Sequence, residues 1–126
     1  DGDIKDEAIL WKNGEKTILP SNSDARAFKI SFNEKDVYVA GYSTESKGAV
    51  RHATYWKNGV KVVLDNSTEE SELYDIAVSK SGKVYALGAM GNEYKPILWV
   101  DGKVDAVFNG TKKNDESLYY ICLKEK

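Results

Sequence analysis

Apolar and polar residues alternate in short bursts along this chain, and no stretch sustains the three-to-four-residue spacing of an amphipathic helix. Phe28, Ile30 and Phe32 alternate with Lys29 and Ser31, which predicts a strand with the three apolar side chains on one face. Tyr74, Ile76 and Val78 repeat the pattern. Val37-Tyr38-Val39-Ala40-Gly41 and Val84-Tyr85-Ala86-Leu87-Gly88 read as a second type of strand. A third type ends at a tryptophan, over 8–11, 53–56 and 96–99. Asn13-Gly14, Asn58-Gly59 and Asp101-Gly102 come two residues after each tryptophan. These pairs tolerate positive φ and predict type I′ hairpins, whose twist matches that of the flanking strands. A fourth strand then runs to Leu19, Leu64 or Val107, each eight positions past its tryptophan.

These four strand types, A to D in chain order, recur with one period. Trp11-Lys12-Asn13-Gly14 returns unchanged as Trp56-Lys57-Asn58-Gly59, then as Trp99-Val100-Asp101-Gly102, so the tryptophans are 45 and 43 residues apart. Gly41 and Gly88 are 47 apart, and Ile30, Ile76 and Ile121 are 46 and 45 apart. Four antiparallel strands per unit of this length is the pattern of a β-propeller blade. Leucine-rich repeats are shorter, and HEAT or armadillo repeats need helical periodicity. The expected fold is therefore all-β. It comprises strands C and D over 1–19, blades over 20–64 and 65–108, and a further strand A within 109–126. That is about two and three-quarter blades, fewer than the four to eight that close a ring. Two readings of the incomplete arc stand. The chain is the C-terminal part of a longer propeller, which is preferred, or two arcs face each other. On either reading the open ends favour self-association through 8–19 and 118–123.

The units resemble β-propeller repeats that carry a Tyr-Trp-Lys-Asn-Gly signature, found in uncharacterised secreted or envelope proteins of bacteria. Here the signature is Tyr55-Trp56-Lys57-Asn58-Gly59, with Val37-Tyr38-Val39-Ala40-Gly41 upstream. Leu10 replaces the tyrosine in the first copy, and Leu98 with Val100-Asp101 varies the third. The resemblance implies the fold and an exported, secreted, periplasmic or cell-surface protein. It implies no catalytic residue, because its motif is a turn and a core. Trp11, Asn13, Gly14, Gly41, Trp56, Asn58, Gly59, Gly88, Trp99, Asp101 and Gly102 are accordingly structural, with all three tryptophans packed between neighbouring blades.

Composition narrows the function without naming it. The chain has 126 residues and a formal net charge of −2, which argues against general nucleic-acid binding. No apolar run is long enough to span a membrane as a helix. A single cysteine, Cys122, falls at a strand A position held by the small residues Ser31 and Ala77, so a buried structural thiol is expected. A single histidine excludes a His-His metal site, and no cofactor is expected. The loops that join D to A and B to C share one face. They hold 13 of the 20 acidic residues and 7 of the 18 basic ones, a bias that would attract cations or a basic partner unless the loops are simply solvated. Asp65, Glu69, Glu70 and Glu72, and separately Asp1, Asp3 and Asp6, cluster there without the spacing of a calcium loop. Arg51, His52, Glu69, Glu70 and Tyr94 are the ligand-contact candidates, with Tyr42 and Tyr55 behind them. The leading functional expectation is a binding or scaffolding module whose partner is itself, further blades, or an unknown protein or small ligand on the acidic face. The alternative is part of a propeller-fold hydrolase or lyase with its catalytic residues largely in other blades.

Overall fold

The computed structural model describes residues 5–108, and every regular element among them is a β-strand. β1 (Ile9–Lys12) and β2 (Glu15–Ile18) form a hairpin. β3 (Ala25–Asn33), β4 (Asp36–Ser43), β5 (His52–Lys57) and β6 (Val60–Val63) form an antiparallel sheet in chain order. β7 (Ser71–Val78), β8 (Val84–Met90), β9 (Lys95–Val100) and β10 (Lys103–Val107) form another. The chain is thus an all-β array of antiparallel sheets with two, four and four strands. The strand expected within 109–126, with Tyr119, Ile121, Cys122 and Leu123, lies outside the described residues, as do Asp1 and Asp3.

The Asn-Gly and Asp-Gly turns fold as their chemistry dictates. Asn13 and Gly14 have φ of 51° and 80°, Asn58 and Gly59 have 49° and 83°, and Asp101 and Gly102 have 49° and 82°. The first turn residue also clamps the neighbouring strand. Asn58 N–H donates to Val37 O at 2.8 Å, and its Oδ1 accepts from Val37 N–H at 2.9 Å. Asp101 holds Val84 identically, at 2.9 Å in both directions. A carboxylate and a carboxamide serve equally because both bonds need only an sp² oxygen and a backbone N–H.

Apolar residues seal two seams between units. Ala8 and Leu19 of the first unit meet Ala25, Val37, Val39 and Trp56 of the second. Tyr38, Ala40 and Ala53 of the second meet Leu73, Ile76, Val84, Ala86, Ile97 and Trp99 of the third. Each buried tryptophan therefore plugs the seam with the preceding unit, at 0% exposure for Trp56 and 1% for Trp99. The Trp56 indole N–H, which burial would otherwise strand, donates to Pro20 O at 2.9 Å. Trp11 departs from the expectation that all three are packed. It is 65% exposed, because no described element covers its side of the β1–β2 hairpin.

The alternation of Phe28, Ile30 and Phe32 is also broken. The β3–β4 register shifts between Ala27 and Lys29, and the β7–β8 register shifts between Leu73 and Asp75. Phe28 and Tyr74 are thus the extra residues of equivalent β-bulges, and one inserted residue reverses the facing of the strand beyond it. Ile30 and Phe32 lie opposite Val39 and Val37, on the face toward the first unit. Phe28 instead packs its ring 6.1 Å from Tyr42 and 6.5 Å from Tyr74, on the other side. The bulges explain Gly41 and Gly88. A Cβ there would sit 1.8 Å from Arg26 O or 1.9 Å from Glu72 O, inside the carbonyl of the adjacent inner strand.

Candidate functional site

The segments before β3, β5, β7 and β9 gather at one end of the sheets, tied by main-chain bonds. Thr44 N–H donates to Asp24 O at 2.8 Å, Ser71 N–H to Arg51 O at 2.9 Å, and Gly91 N–H to Glu70 O at 2.8 Å. Arg51, immediately before β5, is the hub. Its backbone N–H and Nε both donate to Glu70 Oε2 at 2.8 Å, Nη1 to Glu72 Oε2 at 3.3 Å, and Nη2 to Tyr94 Oη at 3.3 Å. Its guanidinium lies 5.3 Å from the centre of the Tyr42 ring. Glu72 is in turn held by the Tyr74 hydroxyl at 2.7 Å.

The electrostatics follow from this pairing. The hydrogen bond that Arg51 donates to Glu70 is the largest influence on its guanidinium and holds its pKa well above the ordinary value, against a smaller opposing effect of burial. For Glu70, burial pushes the carboxyl up. The side-chain and backbone bonds from Arg51 together outweigh this and lower it from the ordinary 4.5. Tyr42 is raised, chiefly by burial. Glu70 therefore binds a proton more weakly folded than unfolded. The stability it contributes is present above about pH 4.5 and is lost as pH falls through the lower folded value. Urea unfolding between pH 3 and 7 should accordingly show a shallower acid-side loss in Glu70→Gln than in the parent. Parallel profiles would show that the pair contributes nothing to acid sensitivity.

The structure brings Arg51, Glu70 and Tyr94 together and spends most of their polar capacity on one another. Glu69 and Tyr94 remain exposed at the rim, with Glu69 beside Gly91. His52 opens β5, and its Nδ1 is buried without a hydrogen-bond partner among the described residues. The acidic run 65–72 is not a free cluster of oxygens. Asp65 accepts from the Ser67 and Ser71 hydroxyls at 2.9 Å, and Ser71 Oγ accepts from Ala53 N–H at 2.9 Å. Among the described residues no group of three or more His, Cys, Asp or Glu is placed to hold a metal. Tyr42 and Tyr55, candidates for ligand contact, face inward instead. Tyr42 is buried, and Tyr55 packs on the second seam with its ring 6.3 Å from Tyr38. No helix among the described residues is long and apolar enough to cross a membrane.

Sequence reading places Glu72 in the acidic run but not among the contact candidates, and it misses a relationship between the two seams. Ala25 N–H donates to Asp6 O at 2.8 Å just as Ser71 N–H donates to Arg51 O, so Asp6 and Arg51 are equivalent positions. Arg26 and Glu72, the next residues along, are equivalent too. At the first seam Arg26 Nη2 meets Asp6 Oδ2 at 3.0 Å, and at the second Arg51 Nη1 meets Glu72 Oε2 at 3.3 Å. The same two positions carry an ion pair with its polarity reversed. A signal was present: comparing charges one period apart, residue 6 with 51 and residue 26 with 72, shows both signs inverting together. No protein-family model, curated protein or solved structure matches the chain.

Proposed function

We propose that this chain is a portion of a β-propeller acting as a binding or scaffolding module of an exported bacterial protein. The strand repeat supports the fold assignment, and the sequence resemblance supports the compartment. One observation carries the binding role. In the second and third units the repeated residues are consumed in seams and turns, as with Trp56, Trp99, Asn58 and Asp101. The residues that vary converge on one braced end, where Glu69 and Tyr94 are offered to solvent. An exposed carboxylate beside a tyrosine ring on an ion-paired base suits a cationic segment of a partner protein, bound by charge and by cation–π contact.

Titration of the isotopically labelled 126-residue chain with hexalysine tests this reading. Amide shifts are expected in 65–70 and 91–94, and the double replacement Glu69→Ala, Tyr94→Ala should weaken binding about tenfold without altering the rest of the spectrum. Arg51→Ala and Glu70→Ala should weaken it too, with loss of local order. No shifts, shifts elsewhere on the molecule, or catalytic turnover that survives the double replacement would each overturn the reading.

A further inference from the structure

Among the described residues, the first unit has no counterpart of the strand that flanks β5 and β9 on their inner edges in the second and third units. In the second unit β5 has neighbours on both edges, β4 and β6, and in the third β9 lies between β8 and β10. The equivalent strand β1 pairs only with β2 among the described residues. Three further features lie on its open side. Asn13 has the backbone conformation of Asn58 and Asp101, but its N–H and Oδ1 make no hydrogen bond among the described residues. Trp11 is exposed where Trp56 and Trp99 are buried. Ile30 of β3 is 41% exposed, whereas its equivalent Ile76 is 2% exposed beneath the side chains of β4.

We propose that the open edge of β1 is a strand-acceptor site, and that its occupant is an extended peptide segment of the β4 type: apolar, aromatic, apolar, small, glycine. The internal template sets its register. Val37 meets Asn58, Val39 lies opposite Trp56, Ala40 opposite Tyr55 and Gly41 opposite Thr54. The incoming strand therefore runs antiparallel to β1. Its first residue is clamped by Asn13, its third lies opposite Trp11, its fourth opposite Leu10 and its fifth opposite Ile9. Main-chain bonds to an open edge provide affinity that tolerates sequence. Selectivity comes from the second and fourth side chains. Tyr38 and Ala40 share a core with Leu73 and Ile76, so the corresponding residues of the incoming strand cover Ala27 and Ile30. A charged residue at either position would be buried against this apolar surface and rejected. The edge is remote in sequence from Glu69 and Tyr94, and the probe at each is different, a β4-type peptide here and hexalysine there.

The test uses the whole chain and a synthetic peptide with the sequence of residues 36–41, Asp-Val-Tyr-Val-Ala-Gly, beside a scrambled control. Trp11 is the exposed indole of the three, so strand addition is read as a blue shift of emission and protection from acrylamide, both absent in Trp11→Phe. Saturable protection by the ordered peptide alone is expected. Asn13→Ala should weaken it about tenfold, while Asn13→Asp should retain it, because Asp101 makes the same clamp with a carboxylate. N-methylation of the first valine, which leaves the protein untouched, should also weaken binding. Equal protection by the scrambled peptide, or no effect of Asn13→Ala and N-methylation, would overturn the proposal. So would Trp11 protection that rises with protein concentration alone and resists the peptide, which would assign the edge to a second copy.

Discussion

Replacing Trp56 with alanine is expected to lower the unfolding free energy by about 3–5 kcal/mol, while Trp11→Ala changes it by about 0.5 kcal/mol or less. The two residues occupy the same place in the repeat and precede the same Lys-Asn-Gly turn. Only their surroundings differ. Trp56 fills the first seam among Ala8, Leu19, Ala25, Val37 and Val39, so truncation leaves a cavity that fixed backbone on both sides cannot close. It also orphans Pro20 O, which loses the indole N–H. Trp11 has most of its surface in water already. Urea midpoints of the two variants, with the denaturant slope checked for constancy, decide the matter. Losses of similar size at both positions would mean that the first hairpin is packed in solution in a way its exposure does not indicate.

Gly88→Ala should be nearly as damaging, at about 3 kcal/mol or more, and Gly41→Ala should match it. The added methyl carbon would lie 1.9 Å from Glu72 O in the third unit and 1.8 Å from Arg26 O in the second. The obstacle is backbone, so no rotamer change relieves it. The strands must part, and the bulge at Tyr74 or Phe28 is the point at which they can. Amide exchange should therefore accelerate first at Leu73 and Asp75 in Gly88→Ala, before any change in β9 or β10. A variant as stable as the parent, with unchanged exchange at those amides, would show that the inner strands have more room than the backbone positions allow.

The sequence discloses strand order and turns because those are local. An Asn-Gly pair two residues after a tryptophan carries its own conformational preference, and repetition at about 45 residues removes the ambiguity that any one copy leaves. It does not disclose facing within strand A. Phe28, Ile30 and Phe32 alternate perfectly on paper, yet one unpaired residue at Phe28 reverses the pattern, and the only trace is a glycine across the ladder. Nor does it separate Trp11 from Trp56, since the same Lys-Asn-Gly turn follows both while their neighbours in space differ. At the candidate site, Arg51 and Tyr94 are noticeable as departures from the repeat, whereas Glu70 repeats the acidic Asp24 and accepts the same backbone bond. Their mutual bonding depends on how two units are rotated against each other, which no single unit encodes. Tyr42 and Tyr55 look equally irregular and point inward, so departure from a repeat marks a difference without giving its direction.

The inverted ion pairs have a consequence for how repeats keep their order. Units built on one sequence pattern are interchangeable as far as their apolar seams are concerned, and an array of such units is open to mispairing. Asp6 pairs with Arg26, and Arg51 pairs with Glu72. Stacking the first unit on the third would set Asp6 against Glu72, and stacking the second units of two copies would set Arg51 against Arg26, like-charge contacts in place of attractive ones. An exposed pair such as Asp6–Arg26 adds little to stability. The value of the two pairs lies in discrimination, since repulsion penalises the wrong neighbour more than attraction rewards the right one. The two seams thus work as a lock and its inverse, and each unit admits the next by the sign of its charge.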